Sequence, residues 1–358
     1  MHLTLGYRGS CDLEFEMTFT QNSSRSANSP LLEVVNLKTW FDTLAGTVRS
    51  VDGVSYQVYA GKTLGIVGES GCGKSVTALS ILRLVPTPPA RHSGQVLFQN
   101  QNLLDLPEHE MRKIRGNQIS MVFQEPMTSL NPVMSIGKQI SETVRLHEKM
   151  SQHQAIQRSL EMLRLVQIPE PERRINEYPH QLSGGMRQRV MIALALVCNP
   201  QILIADEPTT ALDVTIQAQI LALIKRLRME LGMGVILITH DLGVVAESCD
   251  RVAVMYAGKK VEEANVYDLF DQPLHPYTKA LMSSMPSMNK QAKRLTEIPG
   301  MVPSPKELGK GCAFSARCSH STLKCQEETP QLTDMGSDHV VACFAVTEEH
   351  VDPIVQAQ

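Results

Sequence analysis

Residues 68–75 have the composition and spacing of a loop that binds phosphate groups. The segment Gly68-Glu69-Ser70-Gly71-Cys72-Gly73-Lys74-Ser75 fits the pattern G-x-x-x-x-G-K-[ST] at every position. Lys74 can reach the β and γ phosphates of a nucleotide, and the Ser75 hydroxyl can ligate Mg²⁺. The nucleotide-binding candidates are these eight residues and Val76. An ordinary glycine turn is the alternative, and the strand and helix predicted on either side of the loop argue against it.

Two carboxylates end an apolar strand further along the chain. Residues 202–205 are Ile-Leu-Ile-Ala, and Asp206 and Glu207 follow them. We expect Asp206 to hold Mg²⁺ with Ser75, directly or through water, and Glu207 to polarise the water that attacks the γ phosphate. A solvated strand end is the alternative. A complete phosphate loop in the same chain favours hydrolysis of a nucleotide.

A second phosphate-binding surface is predicted between the first two motifs. Leu182-Ser183-Gly184-Gly185-Met186 leads into a helix, so Ser183, Gly184 and Gly185 offer another set of backbone N–H groups to phosphate oxygens. One nucleotide does not require two such surfaces on one chain.

Cys72 also lies near a predicted helix start, where a thiol is expected to gain thiolate character.

Strands and helices are predicted at the positions that these motifs require. Apolar and β-branched runs predict strands at 31–37, 51–58, 63–67, 202–205, 235–239 and 252–256, and helices at 75–84 and 216–231. Ile156, Leu160 and Leu163 form one apolar face of a helix that ends before Pro169. This pattern predicts an α/β fold with a largely parallel sheet covered on both faces and an inserted helical subdomain.

Composition narrows the class of protein. The chain has 358 residues, 42% of them hydrophobic, and a formal net charge of -3, so it lacks the basic footprint of a nucleic-acid-binding protein. We find neither a membrane-spanning run nor a secretory signal, and we expect a cytoplasmic protein whose cysteines are free thiols or metal ligands and not disulfides. Residues 1–30 are predicted to form a flexible arm, in which Met17 is an alternative start.

The ordered set of motifs resembles the nucleotide-binding subunit of an ATP-binding cassette (ABC) transporter over residues 31–263. The resemblance implies a P-loop ATPase core, an antiparallel β subdomain and a helical subdomain at about 126–199. In that family residues 182–186 are the signature that faces the ATP of an opposing subunit. Gln124 matches the Q-loop residue near Mg²⁺ and the attacking water, Ala211-Leu212-Asp213 matches the D-loop, and His240 matches the switch histidine. Phe41 resembles the aromatic residue that stacks on adenine, although Phe41 and its neighbour Trp40 could equally be core residues.

The last part of the chain, residues 264–358, is rich in prolines that exclude long regular elements, and we expect a separate, loop-rich extension. Leu274-His275-Pro276-Tyr277-Thr278 and the prolines that follow resemble the extension of ATPases from the dipeptide and oligopeptide importer group. Four cysteines lie in it: Cys312, Cys318, Cys325 and Cys343. Four thiolates suit a 4Fe-4S cluster or a structural Zn²⁺, and unliganded thiols are the third possibility. The resemblance favours the cluster.

The resemblance implies an ATPase that binds ATP and Mg²⁺ and energises a peptide importer from the cytoplasmic face of the inner membrane. Its expected partners are a second ATPase subunit, two transmembrane permeases and an extracytoplasmic peptide-binding protein. A paralogue is favoured as the second ATPase subunit, and no nucleic-acid partner is expected. The same role in an importer of nickel or another small solute is the alternative. A soluble cassette protein that acts on DNA or ribosomes is a further alternative of a different class.

Overall fold

The computed structural model describes residues 29–125, 129–210, 212–284, 298–306 and 308–351, with residues 349–351 described by their backbone alone. Residues 1–28, which include Met17 and Cys11, lie outside the described residues. So do Ala211 of the predicted D-loop, Pro286 of the extension and the first three residues of the predicted helical subdomain. The strands are β1 (Leu32–Thr43), β2 (Gly46–Val58), β3 (Thr63–Val67), β4 (Ala90–Phe98), β5 (Gln101–Asn102), β6 (Ile119–Val122), β7 (Ile202–Asp206), β8 (Gly234–Ile238), β9 (Arg251–Tyr256), β10 (Lys259–Asn265), β11 (Thr333–Asp334) and β12 (Val340–Val341).

Eight strands form the central sheet, in the order β11-β12-β10-β9-β3-β8-β7-β6. The five strands from β9 to β6 are parallel, as the alternation of strands and helices predicts. Their side chains point alternately to two cores: Ile202 and Ile204 of β7 to one, Leu203 and Ala205 to the other. Because both faces are covered, these strands are apolar at nearly every position.

The second sheet is antiparallel, in the order β2-β1-β4-β5, and packs on one core of the central sheet. Strands were predicted at 31–37 and 51–58, but β1 continues to Thr43 and pairs with β2 through a hairpin. Trp40 and Phe41 therefore lie within a strand. The outer half of this hairpin is exposed and polar, so it lacks the apolar run by which the inner half was predicted.

Helices cover the central sheet and form the inserted lobe between β6 and β7. Among the described residues they are α1 (Lys74–Ile81), α2 (Glu108–Ile114), α3 (Ile136–His147), α4 (Gln152–Leu165), α5 (Pro171–Arg174), α6 (Gly184–Leu196), α7 (Val214–Leu231), α8 (Leu242–Ser248), α9 (Val266–Asp271), α10 (Pro276–Ser283), α11 (Leu323–Glu327) and α12 (Phe344–Val351). Helices α3 to α6 form the inserted lobe. In α4, Leu163 is buried, whereas Ile156 and Leu160 are partly buried at the edge of the buried face. Within the described part of the chain, no helix is both long enough and apolar enough to cross a membrane.

The extension is joined to the ATPase core, contrary to our expectation of a separate unit. Strand β12 pairs antiparallel with β10, so the extension completes the central sheet at one edge. Tyr277 and Phe314 are buried in the same core as β7 and β8. The prolines do limit element length, since the longest helices described in the extension have eight residues. Strands as short as β11 and β12 carry too few residues to show a periodic pattern, and for this reason the sequence did not reveal them.

Candidate ATP-binding and hydrolysis site

The phosphate loop lies between β3 and α1, as predicted. Gly73 precedes α1 with a φ of 99°, and Gly68 has a φ of 151°. A Cβ atom at Gly73 would collide with the carbonyl oxygen of Ser50 in β2, and one at Gly68 with the carbonyl oxygen of Met255 in β9. These two glycines are therefore required both by backbone conformation and by the close approach of neighbouring strands.

The cation of the loop bonds to the loop backbone, whereas its hydroxyl contacts the carboxylate at the end of β7. Lys74 is 5% exposed, and its Nζ donates to the carbonyl oxygens of Gly68 at 2.8 Å and Glu69 at 2.9 Å. The Ser75 hydroxyl donates to Asp206 Oδ1 at 3.0 Å. A hydroxyl and a carboxylate side by side match the oxygen ligands that Mg²⁺ takes in nucleotide sites.

Glu207 connects the remaining polar side chains of the site. Gln124 Nε2 donates to Glu207 Oε2 at 2.8 Å, and His240 Nδ1 lies 3.1 Å from Glu207 Oε1. Thr210 donates its hydroxyl to Oε2 at 2.9 Å. Glu207 itself has a φ of 45°, a left-handed conformation that is uncommon for glutamate and is typical of functional sites. Sequence motifs nearly 120 residues apart thus meet around one carboxylate.

Asp206 and Glu207 have pKa values shifted in opposite directions. Burial raises the pKa of Asp206, and the neighbouring charge of Glu207 adds to this rise, against the Ser75 hydrogen bond and Lys74. Burial also acts to raise the pKa of Glu207, but hydrogen bonds from His240 and Thr210 and the charges of His240 and Lys74 outweigh it, so that the pKa is lowered. Glu207 is therefore ionised at neutral pH, as a group that accepts a proton from water must be.

The expectation that Cys72 gains thiolate character was wrong. Its side chain is fully buried, and burial raises the pKa of the thiol even though Lys74 Nζ lies 3.8 Å from Sγ and acts to lower it. Loss of hydration outweighs the nearby cation and the helix start. Cys72 is a packing residue beneath the phosphate loop.

The second predicted phosphate surface lies at the start of α6. Ser183 is the N-cap residue, and its Oγ accepts from the N–H of Met186 at 3.4 Å. Ser183 and Gly184 are exposed, whereas a Cβ at Gly185 would press against Ile216 of α7. Asp213 caps α7 in the same way, since Oδ1 accepts from Ile216 N–H at 2.9 Å. Both cap residues, Ser183 and Asp213, are exposed.

Phe41 and Val76 lie on elements that flank the phosphate loop. Phe41 is partly buried on β1, opposite Val48 of β2 and Ala90 of β4. The same strand β2 brings Ser50 against the loop at Gly73. Val76 is in the first turn of α1 and packs on the core beneath the antiparallel sheet. Stacking of Phe41 on adenine stays a prediction.

The four cysteines of the extension line one small cavity together with His275 and His320. We call Cys312, Cys318, Cys325 and Cys343 the cysteine module. Burial raises the pKa of Cys312 to about 11, and the other three thiols add to the rise. Over the residues that the structure describes, no group of three or more His, Cys, Asp or Glu side chains is arranged to hold a metal ion.

Three residues of the site escaped sequence reasoning. Thr210, three residues after Glu207, was not among the predicted site residues. Tyr277 and Arg317 come from the extension, yet both contact Glu69 of the phosphate loop. The segment around Tyr277 was noted as a family feature, but nothing in one sequence pairs residues about 200 positions apart.

Comparisons with known proteins agree with this geometry. The chain matches the family model described as ABC transporter over residues 51–210, and the model described as oligopeptide/dipeptide transporter, C-terminal region, over residues 261–325. It is 56% identical over 320 residues to the probable peptide ABC transporter ATP-binding protein y4tR of Sinorhizobium fredii, which covers 89% of this chain and 96% of that protein. It is 52% identical over 315 residues to the dipeptide transport ATP-binding protein DppD of Bacillus subtilis, covering 88% and 94%. The solved dimeric cassette MJ0796, titled a bacterial ABC transporter cassette, superposes with a TM-score of 0.59 at 32% identity over 66% of this chain and 98% of that one.

The fold and the site together define an ABC ATPase. With the C-terminal match and the relatives above, the chain belongs to the ATP-binding proteins of the oligopeptide and dipeptide ABC transporter family. The predicted family and the predicted fold class are confirmed.

Proposed function

We propose that this chain is the ATP-hydrolysing subunit that energises a membrane importer of dipeptides and oligopeptides. The observation that carries the proposal is the extension, which matches the oligopeptide/dipeptide transporter C-terminal region and is built into the same sheet as the catalytic strands. The names of the relatives, one a dipeptide transport protein, favour peptides over nickel or another small solute.

Each side chain of the site has a role in hydrolysis under this proposal. Mg²⁺, held by Ser75, Asp206 and Gln124, would neutralise charge on the β and γ phosphates. Lys74 binds the same phosphates from the centre of the loop. Glu207 accepts a proton from the attacking water, and His240 contacts the γ phosphate while its Nδ1 holds the Glu207 carboxylate in place.

The exposed signature supports a site completed by a second subunit. Ser183, Gly184 and Gly185 would bind the phosphates of ATP held by the phosphate loop of the partner, and Asp213 would lie at the shared interface. We propose a paralogous ATPase as this partner, two permeases as the membrane subunits and an extracytoplasmic peptide-binding protein. The complex would place this chain on the cytoplasmic face of the membrane.

We also propose that the cysteine module holds a 4Fe-4S cluster. Four thiols converge on one cavity, and four thiolates are the ligand set of such a cluster. The four cysteine ligands of such a cluster each bind a different iron, so their sulfur atoms lie farther apart than the ligands of one metal ion. The absence, among the described residues, of a group arranged around one ion therefore counts mainly against zinc. When bound, the cluster would supply cross-links between the loops of the extension.

The test is anaerobic purification with the membrane partners. We expect ATPase activity to rise when the binding protein is loaded with peptides, and iron and sulfide to be found at about four each per chain. If nickel, and not dipeptides, competes with the solute for import and for stimulation of the ATPase, the importer would be reassigned to nickel. Co-purification with ribosomes in place of membrane subunits would reject the importer. Zinc, or no metal, in the purified chain would reject the cluster alone.

A further inference from the structure

The phosphate loop is held by two side chains of the extension. The backbone N–H of Glu69 donates to the Tyr277 hydroxyl at 2.9 Å. The carboxylate of the same residue accepts from Arg317 Nη1, also at 2.9 Å. Glu69 is the first residue after Gly68, where the loop leaves β3. Both bonds therefore act on the turn that sets the direction of the loop.

Both contacts are shielded from solvent. The Arg317 side chain is 7% exposed and the Glu69 side chain 26%. The second carboxylate oxygen of Glu69, Oε1, is buried without a hydrogen-bond partner. Arg317 is thus the charged partner of a poorly hydrated carboxylate, and its removal would leave that charge uncompensated. The loop would be expected to move so that Glu69 regains water.

Arg317 is in turn fixed by the extension. Its Nε donates to the carbonyl oxygen of Pro299 at 2.9 Å and its Nη2 to that of Ile298 at 3.2 Å. Its Nη1 also reaches the Tyr256 hydroxyl at 3.3 Å. These bonds leave the guanidinium little freedom, so its position follows the position of the segment that carries it.

That segment is part of the wall of the cysteine cavity. Arg317 ends a single 3-10 turn, Ser315–Arg317, which lies between Cys312 and Cys318. Phe314, at the start of the turn, lines the cavity and packs its ring 5.4 Å from the ring of Tyr277. The two residues that hold Glu69 are therefore both in contact with one wall of the cysteine module.

We propose that Arg317 and Tyr277 are positioning residues of the ATP site, through which the cysteine module sets the affinity of the phosphate loop for ATP. Neither side chain is assigned a contact with ATP. They act by fixing Glu69, so the loop presents its N–H groups and Lys74 in a conformation that binds phosphate. The inference concerns the ATP site and holds whatever solute the importer carries.

The test measures the dissociation constant of a fluorescent ATP analogue with the full chain, together with the melting temperature without nucleotide. Arg317→Gln is expected to weaken binding about tenfold, which is equivalent to about 1.4 kcal/mol. Arg317→Lys, which keeps the charge, should recover part of the affinity. The double variant with Glu69→Gln should bind no more weakly than Arg317→Gln alone, because each change removes the same interaction.

Arg251→Gln is the matched control. Arg251 also joins the ATPase core to the extension, through Asp338 at 3.6 Å, and it pairs with Glu263 of β10 at 3.0 Å, but it does not contact the phosphate loop. We expect this variant to melt at a lower temperature with an unchanged dissociation constant. Equal affinities of the Arg317→Gln and Arg251→Gln variants for the ATP analogue would overturn the proposal. It would also be overturned if the fold-losses of affinity in Arg317→Gln and Glu69→Gln multiplied in the double variant.

Two further variants test the proposal in case Arg317→Gln does not fold. Tyr277→Phe removes only the hydroxyl that accepts from Glu69 and is expected to weaken binding severalfold at nearly constant melting temperature. Cys325→Ser alters the module away from Arg317 and should weaken binding in the wild-type background but not in Arg317→Gln. An unchanged dissociation constant in Cys325→Ser would reject the link to the module. A loss of peptide import with normal ATP binding would instead reject only the proposed function.

Discussion

At the scale of single residues, the site depends on a carboxylate that is both ionised and immobilised. Glu207 is buried enough to lose hydration, yet Gln124, Thr210 and His240 surround its two oxygens at 2.8 to 3.1 Å. Against the effect of burial, the hydrogen bonds from His240 and Thr210 and the charges of His240 and Lys74 lower its pKa. The carboxylate therefore keeps its charge and a single orientation, which are the two properties that a proton acceptor needs.

We predict that Glu207→Gln lowers the rate of ATP hydrolysis at least 100-fold while ATP binding is retained. The amide keeps the shape of the side chain but cannot accept a proton from water, and Lys74, Ser75 and Asp206 are unchanged. Phosphate release and binding of a fluorescent ATP analogue by the purified complex measure the two effects. Glu108→Gln, which alters an exposed ion pair with Arg115, is the control and should hydrolyse ATP at the wild-type rate. Full activity in the Glu207 variant would show that another group accepts the proton.

Most residues of this site could be predicted from sequence because their motifs are short and local. The phosphate loop, Asp206 and Glu207 each lie at a strand end, so a strand prediction places them in space. Gln124 and His240 were identified only through a family resemblance, since a single glutamine or histidine carries no pattern. Burial raises the pKa of the Cys72 thiol, and the burial of a loop residue depends on neighbouring strands that the sequence does not specify.

At the scale of elements, a charge cluster ties together the ends of the parallel strands opposite the ATP site. Asp250, just before β9, accepts from the Thr63 N–H at the start of β3 at 2.8 Å. It also accepts from Arg228 in α7 at 2.6 Å and from Lys62 at 3.0 Å. Burial acts to raise the pKa of Asp250, but these hydrogen bonds and the charges of Arg228 and Lys62 outweigh it and lower the pKa.

We expect Asp250→Asn to destabilise the chain by about 1 to 2 kcal/mol at neutral pH, since it removes hydrogen bonds to charged groups. The folded pKa lies below the unfolded value, so Asp250 stabilises the chain above about pH 4, and this contribution is lost as pH falls through the folded pKa. Melting temperatures from pH 7 downward should show a constant gap between wild type and variant that narrows only below about pH 4. Asp338→Asn is the control, because its side chain is 81% exposed and its ion pair is expected to contribute little. A gap of the same size at every pH would contradict the assignment.

Four of the five parallel strands, β3, β7, β8 and β9, were predicted because burial on both faces makes them continuous apolar runs, whereas the four-residue β6 was missed. Strands β4, β5 and the outer half of the β1–β2 hairpin were missed, because many of their positions are exposed and carry polar residues. The helical lobe was predicted from periodicity and from Pro169, which follows α4. The buried face of α4, however, is centred on Ala155, Ser159 and Met162. The first two are small residues, which a search for large apolar side chains overlooks.

At the scale of the whole molecule, one buried carboxylate joins the extension to the ATPase core. Glu262 of β10 is 0% exposed. It accepts from the backbone N–H groups of Leu274 at 2.7 Å and His275 at 3.0 Å, and His339 Nε2 lies 2.7 Å away. The first two residues directly precede α10, and the third precedes β12. Two separate segments of the extension therefore bind a single side chain of the core.

Glu262→Gln is expected to cost roughly 2 to 4 kcal/mol, because an amide cannot accept from all three donors and a buried donor would be left unpaired. Hydrogen exchange at the Leu274 and His275 amides should accelerate more than exchange in β7, which reports on the core of the sheet. Glu348→Gln removes an ion pair with Lys324 whose carboxylate is 58% exposed, and its effect should stay within about 0.5 kcal/mol. Unchanged protection of the two amides would mean that other contacts hold the extension.

Pairing of β12 with β10 has a consequence for how copies of this chain behave in concentrated solution. Without β11 and β12, β10 would end the central sheet and expose a row of unpaired N–H and C=O groups, which can pair with a strand of another molecule. In the intact chain β12 occupies part of that row at Glu262 and Glu263. Fragments that lack the extension would therefore tend to join one another edge to edge and aggregate.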